Sequence, residues 1–479
     1  LLDAWQDSVP VIFVSGNVNR PHMAPDGVRN LGVQEANIID IVKPITKYSV
    51  VVNNPEDIDE VMKDAIRIAT HGRPGPVWID IPMDVQGAKF VTVEDLVKQA
   101  ERPLILAGNG INCADARDEF KNFILRTNIP VVTSYNGVDL ISSNDPNYVG
   151  RVGVKGTRAG NFAMQNCDLL LVIGCRLPVP VTGYNYTTFA REAKVVVVDI
   201  DRDEHSKETV KIDRFIHRDA KDFFNNNKFF GSRTDWNETC LRWRDQWPVC
   251  PDKNLSEKVD LYYFTKCLND LKREDDVVIS DAGSSFYVCS QATTITDKQR
   301  YITSSSQAEM GFTIPACIGA AFAKGGDVIG VTGDGSFMMN LQELQTIAHY
   351  NLPVKLFVWN NDGYLSIRTT QKKFFEGREI GTDESSGVSI PNIKYVVKSF
   401  GIEYVRADVD CLEGSIATAL DYNGPIVCEV FCEKWQEVVP TMQGRKNADG
   451  TISAPPLEDM YPFLSREEFY DNMIIKPLD

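Results

Sequence analysis

Two short polar clusters, each at the end of an apolar strand, could do chemistry in this chain. Residues 327–332 form a strand-like run rich in β-branched residues that ends in Gly333-Asp334-Gly335-Ser336, and the run 355–359 ends in Asn360-Asn361-Asp362-Gly363. In a parallel α/β sheet the ligand crevice lies outside the carboxyl ends of the strands, where glycines let backbone approach a ligand and helix N-termini favour phosphate. The carboxylate of Asp334, the amide oxygen of Asn361 and one backbone carbonyl, completed by two phosphate oxygens and water, meet the octahedral all-oxygen demand of Mg²⁺. Taken singly, each cluster is an ordinary turn, since glycine and asparagine dominate turns. As a pair at neighbouring strand ends they favour a diphosphate and metal site.

Elements able to hold such clusters recur along the whole chain. Apolar β-branched runs bounded by turn residues alternate with segments of helical period, the pattern of parallel sheets covered by helices on both faces. The expected fold class is α/β, with three doubly wound parallel-sheet domains. The first block, 1–98, has strands over 9–15 and 77–81 and a helix over 55–70 capped by Asn54. The second, 99–250, has strands over 104–107, 130–133, 169–173 and 195–200. The third, 257–442, opens on a helix over 261–271. It has strands over 277–280, 328–331, 355–359 and 426–431, with a helical segment over 341–350. Residues 231–257 read as a linker that begins or ends in helix, and 443–479, where the alternation is lost, as a C-terminal surface extension or lid. A chain of 479 residues accommodates three such blocks at roughly 150 residues per domain.

Composition narrows the partners. Hydrophobic residues at 43% and charged residues at 24% are ordinary for a globular protein. A net charge of −16 disfavours phosphate backbones and anionic bilayers, so a small-molecule ligand is expected, with no nucleic acid and no membrane partner. No apolar run approaches the roughly 18 residues of a transmembrane helix. The opening Leu-Leu-Asp-Ala-Trp-Gln-Asp-Ser lacks the basic and apolar segments of a signal peptide. The 11 cysteines have no short paired spacing, which fits a reducing cytoplasm and argues against a zinc site. The five histidines have no ligand spacing, and neither HExxH nor GxSxG occurs.

The stretch Gly333 to Asn340, followed by Asn351-Leu352-Pro353-Val354 and Asn360-Asn361, resembles the thiamine diphosphate signature of the acetolactate synthase and pyruvate oxidase superfamily. The similarity covers nearly the whole chain. It implies thiamine diphosphate and Mg²⁺ as cofactors, with Asp334, Asn361 and the Gly363 carbonyl as metal ligands. The cofactor-binding set it implies comprises Asp281, Gly283, Ser284 and Ser285 after the 277–280 strand, then Gln307, Met310, Gly333, Asp334, Gly335, Ser336, Asn361, Gly363, Tyr364 and Leu365. Met310 falls on the family's methionine that sits under the cofactor and bends its two rings into a V, and an unbranched thioether suits that contact. Val33-Gln34-Glu35 matches the pyrimidine-binding domain, and Gln34 falls on a position that reaches the active site from the partner subunit. Gln34 and Met310 are thus the catalytic candidates, and a homodimer or homotetramer is implied.

Gly108-Asn109-Gly110, Gly153-Val154-Lys155-Gly156, Gly174-Cys175-Arg176 and Asp199-Ile200-Asp201 resemble the family's FAD-binding domain. Residues 108–113 fail the GxGxxG fingerprint at its last glycine, so FAD, another adenine nucleotide or an empty domain all stay open.

The implied activity is carboligation: decarboxylation of a 2-oxo acid such as pyruvate, then transfer of the acyl carbanion to an acceptor carbonyl. Acetolactate synthases place a substrate-selecting tryptophan where Thr370 aligns. Tyr364 to Thr370, Thr182 to Tyr186 and Pro456 to Phe463 look more like synthase homologues of surface-polysaccharide sugar pathways, some of which act on a ketosugar. In the family, the glutamate that hydrogen-bonds the aminopyrimidine ring precedes the position matching Leu1. The expectation is a first domain that is N-terminally incomplete in this sequence. Two alternatives stand beside carboligation: a simple 2-oxo acid decarboxylase or hydrolase, and a catalytically impaired cofactor-binding protein.

Overall fold

Runs of Val, Ile and Leu form the strands because a parallel strand covered on both faces has no solvent side toward which to alternate. Leu169–Ile173 is buried at every position. The computed structural model describes residues 1–25, 27–89, 91–231, 234–254, 256–446 and 452–478.

Leu1–Gln99 makes one compact unit. Its strands β1 (Ile12–Asn17), β2 (Tyr48–Val51) and β3 (Val77–Pro82) form a parallel sheet in the order β1-β3-β2. Helix Ile58–Thr70 lays Val61, Ala65 and Ala69 on it, one face at helical spacing. Asn54 is not the cap of that helix. It precedes a 3₁₀ turn, Pro55–Asp57, and its amide reaches Asp57 Oδ2 at 3.3 Å instead of receiving a backbone N–H.

Ala100–Asp479 makes the second unit, with two further parallel sheets of six strands each. The middle sheet contains β4 (Pro103–Ala107), β5 (Val131–Thr133), β6 (Tyr148–Arg151), β7 (Leu169–Ile173), β8 (Lys194–Asp199) and β9 (Arg214–His217), in the order β6-β5-β4-β7-β8-β9. The third contains β10 (Val277–Ser280), β11 (Arg300–Thr303), β12 (Val328–Gly333), β13 (Val354–Asn360), β14 (Glu403–Ala407) and β15 (Ile426–Phe431), in the order β11-β10-β12-β13-β15-β14. The expected 341–350 helix is a 3₁₀ turn, Leu341–Glu343, running into helix Leu344–His349.

Two segments differ from expectation in how they pack. The linker carries a helix, Thr234–Gln246, whose Trp236 and Trp243 are buried and donate to Pro103 O at 2.9 Å and Asn472 Oδ1 at 2.8 Å. The C-terminal segment is no surface lid over its described length. Leu457, Met460, Phe469 and Ile475 are buried, and helix Arg158–Asn166 is buried at every residue with the tail against it. That helix bonds the tail with its polar side chains: Gln165 donates to Glu458 at 2.7 Å, and Asn166 accepts from the Ile474 amide at 2.8 Å. Arg191 then pairs with the fully buried Glu458 at 2.8 Å. Among the described residues no helix is long and apolar enough to cross a membrane.

Candidate active site

Strands β10, β12 and β13 are adjacent and parallel, so the loops that follow them converge at one edge of the third sheet. The strand order also reverses there: β11 lies beyond β10 and β13 beyond β12. Such a switch point leaves a crevice between the diverging loops.

A cavity of about 300 Å³ occupies it. Gly283, Ser284 and Ser285 line it from the first loop, and Gly333, Asp334, Gly335 and Ser336 from the second. Asn361, Gly363, Tyr364 and Leu365 line it from the third, and Met310 stands at its wall.

Asp334 is the centre of this arrangement. Its Oδ1 accepts the Gly335 amide at 2.6 Å, and its Oδ2 accepts the amides of Asn361 at 3.1 Å and Gly363 at 2.9 Å. One carboxylate therefore ties the two clusters together. Burial pushes its carboxyl up to about 6, against the pull of those three amides. The Asn361 side-chain oxygen is buried beside it with no hydrogen-bond partner, as expected of an oxygen reserved for a ligand.

Arg368 holds the third loop from behind. Fully buried, it donates to the carbonyls of Asp362 at 2.7 Å, Asn361 at 2.8 Å and Lys434 at 3.0 Å. Tyr364 packs so closely on Gly335 that a Cβ at position 335 would lie 2.2 Å from its ring.

The first loop opens helix Gly283–Ala292, whose N-terminal amides receive no side-chain cap and are available to an anion.

Two of the expected residues are not among those that line the cavity, and a third belongs to the other compact unit. Asp281 does not line the cavity. It is fully buried and accepts from Ser285 Oγ at 2.8 Å, Thr332 Oγ1 at 2.9 Å and Ser336 Oγ at 2.5 Å, which fastens the first loop to the second. Gln307 lies exposed in a turn and is not among the lining residues, although Ala308 and Met310 after it are. Gln34 belongs to the first unit, where it is exposed with φ 60° on a loop shaped by Glu35, whose carboxylate accepts the Leu31 and Gly32 amides at 2.8 Å each.

Tyr287, Trp359, Ser366 and Ile367 also line the cavity and had not been singled out. Helical period could have found Tyr287, one turn after Gly283, and the pair Ser366 and Ile367 directly follows Leu365. Among the described residues no group of three His, Cys, Asp or Glu side chains could hold a metal, so a cation here would need amide and carbonyl oxygens.

Comparison with known proteins bears on the same segments. Residues 92–226 match the central domain of thiamine pyrophosphate enzymes, and residues 281–430 match their C-terminal TPP binding domain, which contains all three loops. The chain is 31% identical over 473 residues to the acetolactate synthase isozyme 2 large subunit of Escherichia coli (strain K12), covering 94% of this chain and 84% of that one. The chain belongs to the acetolactate synthase family of thiamine diphosphate enzymes. It is 32% identical over 493 residues to the acetolactate synthase large subunit of Parasynechococcus marenigrum (strain WH8102), covering 95% and 78% of the two chains. With chloroplastic acetolactate synthase 1 of Zea mays the identity is 30% over 481 residues, covering 92% and 74%.

For this acetolactate synthase-type enzyme, Gly363→Ala is expected to weaken binding of thiamine diphosphate with Mg²⁺ by tenfold or more, on the order of 1.4 kcal/mol. Gly363 has φ 114°, and an added Cβ would stand 2.1 Å from the Thr382 carbonyl oxygen. The loop must therefore shift away from Asp334. Titration of the cofactor by isothermal calorimetry reads the change, and unaltered affinity would refute it.

Proposed function

We propose that the enzyme is a carboligase that decarboxylates a 2-oxo acid, pyruvate in the first instance, and transfers the acyl carbanion to an acceptor carbonyl. The observation that carries this reading is the character of the cavity wall. Asp334, whose carboxylate accepts three backbone amides, is the one lining residue, among those described, that is an Asp, Glu, His, Cys or Lys. The remainder includes Tyr287, Met310, Trp359, Leu365 and Ile367. A wall so poor in acids supplies few protons to quench a carbanion before it meets an acceptor. The electron sink is then the cofactor's own contribution when bound.

Within this reading, Asp334, Asn361 and the Gly363 carbonyl hold Mg²⁺. The support is the unpartnered Asn361 oxygen beside a buried carboxylate. The first-turn amides of helix Gly283–Ala292 take the diphosphate, and Met310 props the two rings. Gln34 acts across the interface of a homodimer or homotetramer.

Thr370 is exposed on helix Leu365–Phe374 and does not line the cavity, whereas Ser366 and Ile367 do. Acceptor choice is assigned to these two residues, with a second 2-oxo acid or a ketosugar as the acceptor. FAD belongs to the reading only at the β4/β7 switch, where Gly108 and Gly110 meet Gly174 backbone. Asp199 there already accepts the Asp201 amide at 3.0 Å and faces His205 Nε2 at 3.3 Å, so no step is assigned to a flavin. Flavin absorbance of the purified protein tests its presence.

Incubation with pyruvate, Mg²⁺ and thiamine diphosphate is expected to release CO₂ and form a coupled hydroxyketone product. Aldehyde release without coupling would select a simple decarboxylase. No thiamine-dependent CO₂ release from any 2-oxo acid would leave a cofactor-binding protein without turnover.

A further inference from the structure

Lys155 has no part in the site as described above. Its backbone amide donates to the Tyr135 hydroxyl at 3.0 Å, which fixes the turn just before helix Arg158–Asn166. Its ammonium lies 3.6 Å from the centre of the Tyr287 ring, and Tyr287 lines the cavity. Among the described residues the ammonium has neither a carboxylate within ion-pair distance nor a hydrogen-bond acceptor.

The groups that face Lys155 cannot supply the missing charge. They are phenols, and burial pushes those of Tyr135 and Tyr287 upward, so both stay neutral; the Tyr184 phenol neighbours these two. Burial without a counter-charge pushes Lys155 down to about 8. Lys155 is half-buried; a ring face compensates a partly desolvated cation only in part, and a charge withdrawn from water is ordinarily paired. The ring on which the ammonium stacks lines a ligand cavity, so the pairing anion can come from the ligand.

We propose that Lys155 forms the subsite for the anionic group of the acceptor substrate. The proposal rests on the carboligase reading, because it presupposes an acceptor. Two substrates could bring a carboxylate into the cavity, the donor and the acceptor, and their chemistry separates them. The donor's carboxylate departs as CO₂, and an ammonium gripping it would stabilise the ground state more than the transition state and so slow its loss. The acceptor's carboxylate survives the reaction and can be held throughout, which orients the carbonyl for attack. A 2-oxo acid acceptor is thus favoured over an uncharged one.

The test compares 2-oxobutanoate with propanal as acceptors, with pyruvate as donor, in the full-length holoenzyme. The ratio of their kcat/KM values is expected to fall by about 30-fold or more in Lys155→Met, the loss typical when one partner of a buried charge pair is truncated. Lys155→Arg should keep most of the preference. An unchanged ratio in Lys155→Met, or an equal fall for both acceptors, overturns the proposal.

Binding of oxamate, followed by intrinsic tryptophan fluorescence, needs no turnover. Its affinity is expected to fall in Lys155→Met and, in the wild type, to fall as pH rises through about 8, where the ammonium is lost. Equal oxamate affinity in wild type and Lys155→Met overturns the subsite. Lysine-dependent oxamate binding without CO₂ release from pyruvate would instead overturn the carboligase reading alone.

Discussion

Asp334→Ala is expected to abolish retention of thiamine diphosphate, raising its dissociation constant in the presence of Mg²⁺ by about 100-fold or more, equivalent to about 2.7 kcal/mol. Two losses combine. The substitution removes the one carboxylate among the described residues of the cavity wall, and with it the charge that the proposed divalent cation would require. It also strips the amides of Gly335, Asn361 and Gly363 of their shared acceptor, at 2.6, 3.1 and 2.9 Å respectively. Leaving a buried donor unsatisfied costs roughly 1–3 kcal/mol. The two loops should then separate, carrying the Asn361 oxygen away from the proposed metal position. Asp334→Asn separates the two effects: it keeps an oxygen for some of the amides while losing the charge, so it should retain more thermal stability than Asp334→Ala yet bind the cofactor almost as poorly. Calorimetric titration of both variants with the cofactor and Mg²⁺ reads the outcome. Wild-type affinity in Asp334→Ala would remove this residue from the proposed ligand set.

Arg368→Met should be the most damaging substitution outside the cavity wall. The guanidinium is fully buried and makes three carbonyl contacts, to Asn361, Asp362 and Lys434. Removing one partner of a buried charged network typically costs about 3–5 kcal/mol. Asp383 is not stranded by the change: it lies 3.8 Å from Arg368 but only 2.8 Å from Lys434, which also reaches Asp362 at 2.8 Å. The loss therefore falls on the three carbonyls and on the position of Asn361. Arg368→Lys should recover little, since a single ammonium cannot reproduce the planar fork. Thermal unfolding is expected to shift down in both variants, with weakened affinity for Mg²⁺ and thiamine diphosphate. If stability falls while cofactor affinity holds at the wild-type level, Arg368 acts on the fold and not on the loop.

The contrast between these two residues shows how far the chain could be read before its structure. Asp334 was legible because a glycine-flanked acid at the end of an apolar strand is a local pattern, and so was Asn361 one strand later. Arg368 was not, because its role depends on three carbonyls brought together by the fold, one of them from Lys434 in a distant stretch of sequence.

The strands divide in the same way. Interior strands such as β7, β10 and β15 were evident as predominantly apolar runs with the observed limits. The strands at the edges of the two six-stranded sheets, β6, β9, β11 and β14, escaped notice: each is short and carries an arginine, at positions 151, 214, 300 and 406. An edge strand is paired on one side alone, so its composition need not be uniformly apolar.

What the sequence determined by itself was therefore the α/β class, the paired Gly-Asp-Gly and Asn-Asn turns, and through them the cofactor family. These are properties of local pattern, set by the period of burial and by the few residue types that permit tight turns near phosphate. Tertiary structure decided the rest. It turned Asp281 from an expected cofactor contact into a clamp between loops, left Gln307 outside the cavity lining, packed the C-terminal segment against helix Arg158–Asn166, and set the Lys155 ammonium over Tyr287 without a counter-charge among the described residues. Each depends on contacts between residues far apart in the chain, and the pairing of a buried polar group is a property of its surroundings in space, which no local pattern encodes.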